Sequence, residues 1–475
     1  MRHEFNIIGV IAVFLLAGCA GRPINQPLDN VDLSSGYRGN VVVPKRPDND
    51  PSTLFVLSFS GGGTRAAALS YGVLEELRRV EFTAADGKAR RLIDEIDAIS
   101  GVSGGSFTAL SYALYGNRLF DEYEQRFLKR NVQGVLTRRF FLNPYNWFRM
   151  MSGSFGRSEI AAEYYNEILF DNATFNDLLG KPGPLAIAAG TDITTGSRFS
   201  YYQDDFDLIC SDLGQVQLAR AAATSSAVPL VLSPVTLNNY GGSCGYQYPG
   251  WVEDTLALDQ PQQQAGRLLE RYKSMEAFRD SANNPYIHLV DGGVSDNIGV
   301  RGVLDALQEL FLSEDYQMEK GFGGIRHITL LVVNAHSAHA KDWQLKVSPP
   351  GSIKQLMQSS SVPMDHYSFD TVELMRNRAE MTTMNHRLKV AEARLAGASV
   401  EEAEARFPKL EFQVLEVNFE NLKDPEEREY FLNLPTSFVL KDEEVDRLRE
   451  VGGRLLRQSP VYQEILKELN TRRVE

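Results

Sequence analysis

Residues 93–116 read Ile93-Asp94-Glu95-Ile96-Asp97-Ala98-Ile99-Ser100-Gly101-Val102-Ser103-Gly104-Gly105-Ser106-Phe107-Thr108-Ala109-Leu110-Ser111-Tyr112-Ala113-Leu114-Tyr115-Gly116. An apolar-ended run passes through the pentapeptide G-x-S-x-G into a run of small residues. That order predicts a strand, a sharp strained turn and a helix, with Ser103 exposed on the turn as a candidate nucleophile. Side chains beside the serine would collide with the adjoining strand and helix, and Gly101 and Gly105 remove that collision. The pattern fixes three positions of five, so a glycine-rich turn that contains a serine is the competing reading.

Upstream, Ser52-Thr53-Leu54-Phe55-Val56-Leu57-Ser58-Phe59 is a continuous apolar run that ends in Ser60-Gly61-Gly62-Gly63, which predicts a buried parallel strand opening into a tight loop. Leu69, Val73, Leu74, Leu77 and Val80 then recur at helical spacing, placing that loop at a helix N-terminus. Downstream, 185–193, 287–294 and 327–335 read as further strands separated by stretches long enough for helices. The expected fold class is α/β with a largely parallel sheet. Ligands bind at the carboxyl ends of such strands, so the GGG, GVSGG and DGG loops are expected to converge. Residues 139–170 are rich in aromatics and read as core helices, a lid or a membrane-facing patch. From 346 onward the chain is helical and charged apart from a strand at EFQVLEVNF, and is treated as an extension of the same body.

The chain has 475 residues, 43% of them hydrophobic, enough for a large core and incompatible with a disordered protein. Its net charge of −13, with the two signs interspersed, argues against nucleic acid as a partner. Residues 7–16, IIGVIAVFLL, span roughly 15 Å as a helix, too short to cross a membrane core of about 30 Å but suited to a signal-peptide apolar region. Leu16-Ala17-Gly18-Cys19 follows and resembles the lipobox of bacterial lipoproteins, although Glu4 partly offsets the charge of Arg2. The resemblance implies cleavage after residue 18, lipidation of Cys19 and membrane tethering. Ala20 favours delivery to the outer membrane of a bacterial cell envelope. Residues 19–51, with five prolines and no periodicity, are expected to be a flexible linker, followed by a catalytic domain over 52–345 and the extension over 346–475. Cys210 and Cys244 are either a disulfide or two buried thiols. No metal-ligand spacing is present.

Four blocks occur in order: Ser60-Gly61-Gly62-Gly63-Thr64-Arg65, the elbow at Ser103, Thr224-Ser225-Ser226-Ala227-Val228-Pro229, and Asp291-Gly292-Gly293. Together they resemble the patatin-like phospholipase family over roughly residues 52–300, with departures at Ala66 and Thr224. The resemblance implies a three-layer α/β/α fold, no cofactor, and a serine–aspartate dyad in which Ser103 attacks an ester carbonyl and Asp291 takes its proton. It implies a phospholipid or other acyl-ester lipid as substrate, with phospholipase A or lysophospholipase activity. The chemistry has independent support: a serine hydroxyl needs a base, and the developing oxyanion needs donors. Gly61, Gly62 and Gly63, at a helix N-terminus, are the expected oxyanion donors. Arg65 either braces that loop or meets a phosphate, and Gly292 and Gly293 allow close approach to the elbow.

Three other readings compete. A serine–acid–histidine triad would recruit His336 or His339. GGGTRA formally fits a dinucleotide-binding fingerprint, but the next strand leads to GVSGG rather than a ribose-binding acid. A non-catalytic lipid-binding lipoprotein on the same fold is the third.

Overall fold

The computed structural model describes residues 21–43, 49–84, 87–312, 322–338, 341–469 and 472–473. The signal peptide and Cys19 lie outside them, as does His339. An eight-stranded sheet is built from β1 (Thr53–Phe59), β2 (Ile96–Gly101), β3 (Leu185–Asp192), β4 (Arg198–Ser200), β5 (Val235–Asn238), β6 (Tyr286–Asp291), β7 (His327–Asn334) and β8 (Glu411–Asn418). The order across the sheet is β8-β7-β1-β2-β3-β6-β5, with β4 paired to β3. The first five strands in that order are parallel, while β6, β5 and β4 add in antiparallel fashion. The sheet is thus mixed and mostly parallel.

Alternation along the central strands sorts their side chains onto two faces. Phe55, Leu57 and Phe59 of β1, with Leu331 and Val333 of β7, join a large core. It is shared with α1 (Gly63–Arg78) and α2 (Gly104–Tyr115). Around the same core lie α3 (Val132–Phe141), α4 (Pro144–Met150), α5 (Arg157–Tyr165) and α6 (Leu218–Ser225). Leu54, Val56, Ile328, Leu330 and Val332 point the other way. There they meet α7 (Val300–Leu312) and α8 (Ser352–Leu395). This is the expected three-layer arrangement. The C-terminal region is mainly helical, yet β8 forms a sheet edge and α9 (Asp442–Gln458) packs along α1 so closely that a β-carbon on Gly72 would stand 2.1 Å from the Arg449 carbonyl. Among the described residues no helix is long and apolar enough to cross a membrane.

One expectation is corrected. The proposed linker, residues 19–51, is described over 21–43 and 49–51, and residues 21–43 are docked as a strap. Leu28 N–H donates to Cys210 O at 2.7 Å and Val31 N–H to Cys244 O at 3.2 Å, and Cys210 and Cys244 form a disulfide. The Asn25 side-chain amide donates to Ser211 Oγ and Asn238 O, each at 2.9 Å. The Tyr37 hydroxyl accepts from Ala186 N–H at 2.7 Å, and Arg38 is buried between Asp204 and Asp207. The strap has no periodicity because it borrows partners from loops and strand ends and forms no ladder of its own. Its anchors are single residues.

Candidate active site

The strand–turn–helix reading of residues 93–116 fixes the site. β2 ends at Gly101, α2 begins at Gly104, and Ser103 sits between them at φ 48°, ψ −121°, a strained backbone for a residue with a side chain. The most demanding neighbour is Gly104: a β-carbon there would lie 2.0 Å from the Gly63 carbonyl oxygen. Elbow and glycine loop therefore interlock backbone to backbone. Gly101 and Gly105 are filled in the same way, by Ser106 and by Phe59.

The glycine loop leads from β1 into α1, with Gly62 at φ 138° and Gly63 at φ 60°. Among the described residues the amides of Gly62 and Gly63 have no hydrogen-bond acceptor, and they stand at the positive end of α1. Gly61 differs from the expectation for it. Its N–H is spent on Asn297 O at 2.8 Å, so it supplies space beside Ser103 rather than a donor. Arg65 is a brace and not a phosphate ligand: its guanidinium is buried and donates to Ala335 O at 2.9 Å, Thr436 Oγ1 at 3.0 Å and Leu434 O. Burial pushes its pKa down to about 10. Thr64 N–H donates to Ser437 O at 2.9 Å, so the C-terminal region clamps the same loop.

Asp291 arrives from the other direction. β6 is antiparallel to β3 and stops with Asp291 opposite Gly190, near the carboxyl ends of β2 and β3. The three loops converge as expected, although the strand carrying the acid runs against its neighbour. Gly292 permits the approach, since a β-carbon would stand 2.3 Å from Ala189 O. Asp291 Oδ1 accepts from Gly293 N–H at 2.8 Å, whereas Oδ2 is buried with no hydrogen-bond partner. Burial raises the carboxyl to a pKa of about 7, and the Gly293 amide and the adjacent Ser103 hydroxyl offset that rise only in part.

The two halves are joined by residues that sequence reasoning did not assign. Ser225 Oγ accepts from Ser103 N–H at 2.9 Å, Ser225 O accepts from Gly292 N–H at 3.2 Å, and Ala227 O accepts from Asp291 N–H at 3.0 Å. One short stretch, the end of α6 and the turn after it, thus holds both Ser103 and Asp291. Thr224, a departure from the family pattern, uses its hydroxyl on Tyr201 OH at 2.5 Å and Arg220 O at 2.9 Å, which explains an oxygen at that buried position. Asn297 is a further residue without a sequence signal. Its Oδ1 lies in the gap between Gly61 and Gly293, 2.5 Å and 3.0 Å from β-carbons placed there.

His336 does not complete a triad. Its Nε2 faces Glu420 Oε1 at 3.8 Å, burial lowers its pKa, and the acid that a triad would use, Asp291, bonds the Gly293 amide instead. Among the described residues no group of three His, Cys, Asp or Glu side chains is placed to hold a metal ion.

The family model for patatin-like phospholipases matches residues 57–304, which contain all four blocks and the residues that join them. No curated protein matches the chain at a significant level. Among solved structures, human GIVD cytosolic phospholipase A2 is similar at 13% identity over 94% of this chain and 68% of its own, with a TM-score of 0.43. Its complex with methyl gamma-linolenyl fluorophosphonate gives 13%, 91%, 63% and 0.40. VipD from Legionella pneumophila gives 11% identity over 90% and 68% of the two chains, with a TM-score of 0.31. The chain belongs to the patatin-like phospholipase family.

Proposed function

We propose that this member of the patatin-like phospholipase family is a serine-dependent lipid acyl hydrolase of phospholipase A or lysophospholipase type, working through a Ser103–Asp291 dyad. The observation that carries the reading is a buried carboxyl at a pKa of about 7, with one oxygen free of donors, beside a serine on a strained elbow. An unperturbed aspartate near 3.9 would be a poor acceptor for a hydroxyl proton; one near 7 is matched to the task. Ser103 Oγ attacks the ester carbonyl carbon while its proton passes to Asp291. The carbonyl oxygen, now anionic, takes hydrogen bonds from the Gly62 and Gly63 amides, each such donor typically contributing about 2.7–4 kcal/mol. Collapse breaks the carbon–oxygen ester bond, and the leaving alcohol takes the proton from Asp291. Water then gives a proton to the same carboxylate and attacks the acyl carbon; the acyl–Oγ bond breaks, the fatty acid leaves, and the proton passes from Asp291 back to Ser103 Oγ.

The decisive test is labelling with a serine-reactive fluorophosphonate beside turnover of phospholipid and lysophospholipid. The parent is expected to label and turn over. Ser103→Ala is expected to do neither, and equal turnover by parent and variant would sink the dyad.

The same reading puts the protein in a bacterial cell envelope, exported and tethered through lipidated Cys19 to the outer membrane. The Cys210–Cys244 disulfide supports export, since such bonds persist in oxidising compartments. Cys19→Ala is expected to move the protein from the membrane to the soluble fraction.

A further inference from the structure

We infer that the α3–α4 hairpin is a docking surface for an anionic phospholipid bilayer, by which the protein seats itself on its substrate independently of any acyl anchor. Its outward side is apolar: Phe141, Leu142, Tyr145, Trp147, Phe148 and Met151 are all exposed, Leu142 by 74% and Met151 by 75%. Six large apolar side chains within eleven residues form a patch of the kind that marks an interaction site.

The hairpin is built and not slack. Asn143 caps α4 by accepting from Tyr145 N–H at 3.0 Å, and Asn146 Nδ2 donates to Arg139 O at 3.0 Å. Trp147 Nε1 donates inward to Phe140 O at 3.0 Å, which satisfies its polar group and leaves the ring half-exposed. The Arg149 guanidinium stacks on Phe155 at 3.9 Å.

Charge selects the occupant. From residue 125 to 158 the chain has seven basic residues and no acidic one; Arg126, Lys129, Arg139 and Arg149 are paired with carboxylates from neighbouring segments, which leaves Arg130, Arg138 and Arg157 to set the sign of this face. Arg130 and Arg138 are exposed, and neither is in an ion pair among the described residues. Aromatic and aliphatic side chains interleaved with arginine suit the interface of a bilayer carrying negative headgroups. Both ends of the hairpin are tied to the site. Gln133 N–H, at the start of α3, donates to Phe438 O at 3.2 Å, beside the Ser437 that clamps the glycine loop. After α4, Ser158 N–H donates to Ser233 Oγ at 3.1 Å, on the loop that follows the dyad-joining turn. That loop carries exposed Leu230, at φ 71°, and Val231.

The test reads Trp147 in the full chain, added to phosphatidylcholine–phosphatidylglycerol vesicles with brominated acyl chains. Strong quenching is expected that Trp147→Phe abolishes and Trp343→Phe leaves in place. Arg138→Gln is expected to weaken vesicle binding roughly fivefold. Unquenched Trp147 emission, as a protein partner on this face would give, overturns the inference, and so does equal quenching on phosphatidylcholine alone. A second arm rests on the lipid-hydrolase reading. Leu142→Ser with Met151→Ser should slow vesicle hydrolysis by about tenfold or more while sparing a soluble short-chain ester. Equal rates on vesicles for variant and parent overturn the inference. Absence of all ester hydrolysis in the parent overturns the catalytic reading alone, leaving the quenching result to decide.

Discussion

Ser103 and Asp291, the proposed nucleophile and acid, come from halves of the sheet that solve different problems. Ser103 leaves a parallel strand, and its environment is made of backbone: two glycine-lined loops in contact, a strained elbow, and amides at the start of α1 without acceptors among the described residues. Asp291 ends an antiparallel strand, and its environment is made by exclusion: a buried carboxyl with the Gly293 amide on Oδ1 and only the Ser103 hydroxyl beside it to offset the loss of solvent. The first half keeps a side chain in a costly conformation, and the second keeps a charge in a costly medium. The comparison teaches that strain and desolvation can be kept apart on one sheet and joined at a single turn, Ser225–Ala227.

The largest break falls on the desolvated half. Asp291→Asn should lower turnover by up to about 10⁴-fold, the upper range for loss of a general base, yet leave the protein no less stable. Raising the carboxyl from 3.8 to about 7 costs the folded state on the order of 4 kcal/mol above pH 7. The sign is that of an acid raised on folding: the cost is absent below about pH 4, grows between about pH 4 and 7, and is constant above. Thermal unfolding at pH 8 should therefore show the asparagine variant at or above the parent, and a clear fall would mean that the carboxylate is structurally required.

In the strained half, Gly104→Ala places a methyl against the Gly63 carbonyl. We expect turnover to fall about 10³-fold, with about 1–3 kcal/mol of stability lost in denaturant titration. Ser225→Ala strikes the join. It leaves the Ser103 amide buried and unpaired at about 1–3 kcal/mol, and kcat should drop roughly ten- to a hundredfold with little change in KM. Ser225→Thr keeps the oxygen and should recover most of that loss; failure to do so would mean that the hydroxyl is not what positions Ser103. The mildest test sharpens without mutation. The kcat/KM profile should rise about tenfold per pH unit below about 7 and level off above, following the Asp291 carboxylate.

What was legible in the sequence was what glycine makes legible. Glycines at 61–63, 101, 105 and 292–293 mark close approaches, and apolar runs between them mark strands, so the sheet and the convergence of its three glycine loops could be anticipated. The direction of β6 was not, because a buried strand reads the same either way. Nor was the role of Ser225, whose hydroxyl acts on a backbone amide 122 residues away and leaves no local pattern. The loss of Gly61 as a donor depends on one carbonyl of Asn297, equally silent in sequence. The docked strap escaped for the opposite reason: its composition is that of a linker, and only its partners, far along the chain, make it part of the body.

Those partners set an order of events. Arg22 donates to Thr236 O across 214 residues and Gly39 N–H to Tyr202 OH across 163, and Thr236 lies on a strand that pairs with β6. The strap cannot be fixed until that edge of the sheet exists, and contacts of such sequence separation form late. The earliest described residues to be synthesised are thus among the last to be immobilised. Until the β5–β6 edge has formed, residues 21–43 have nothing to hold them, so the strap reports on completion of the sheet.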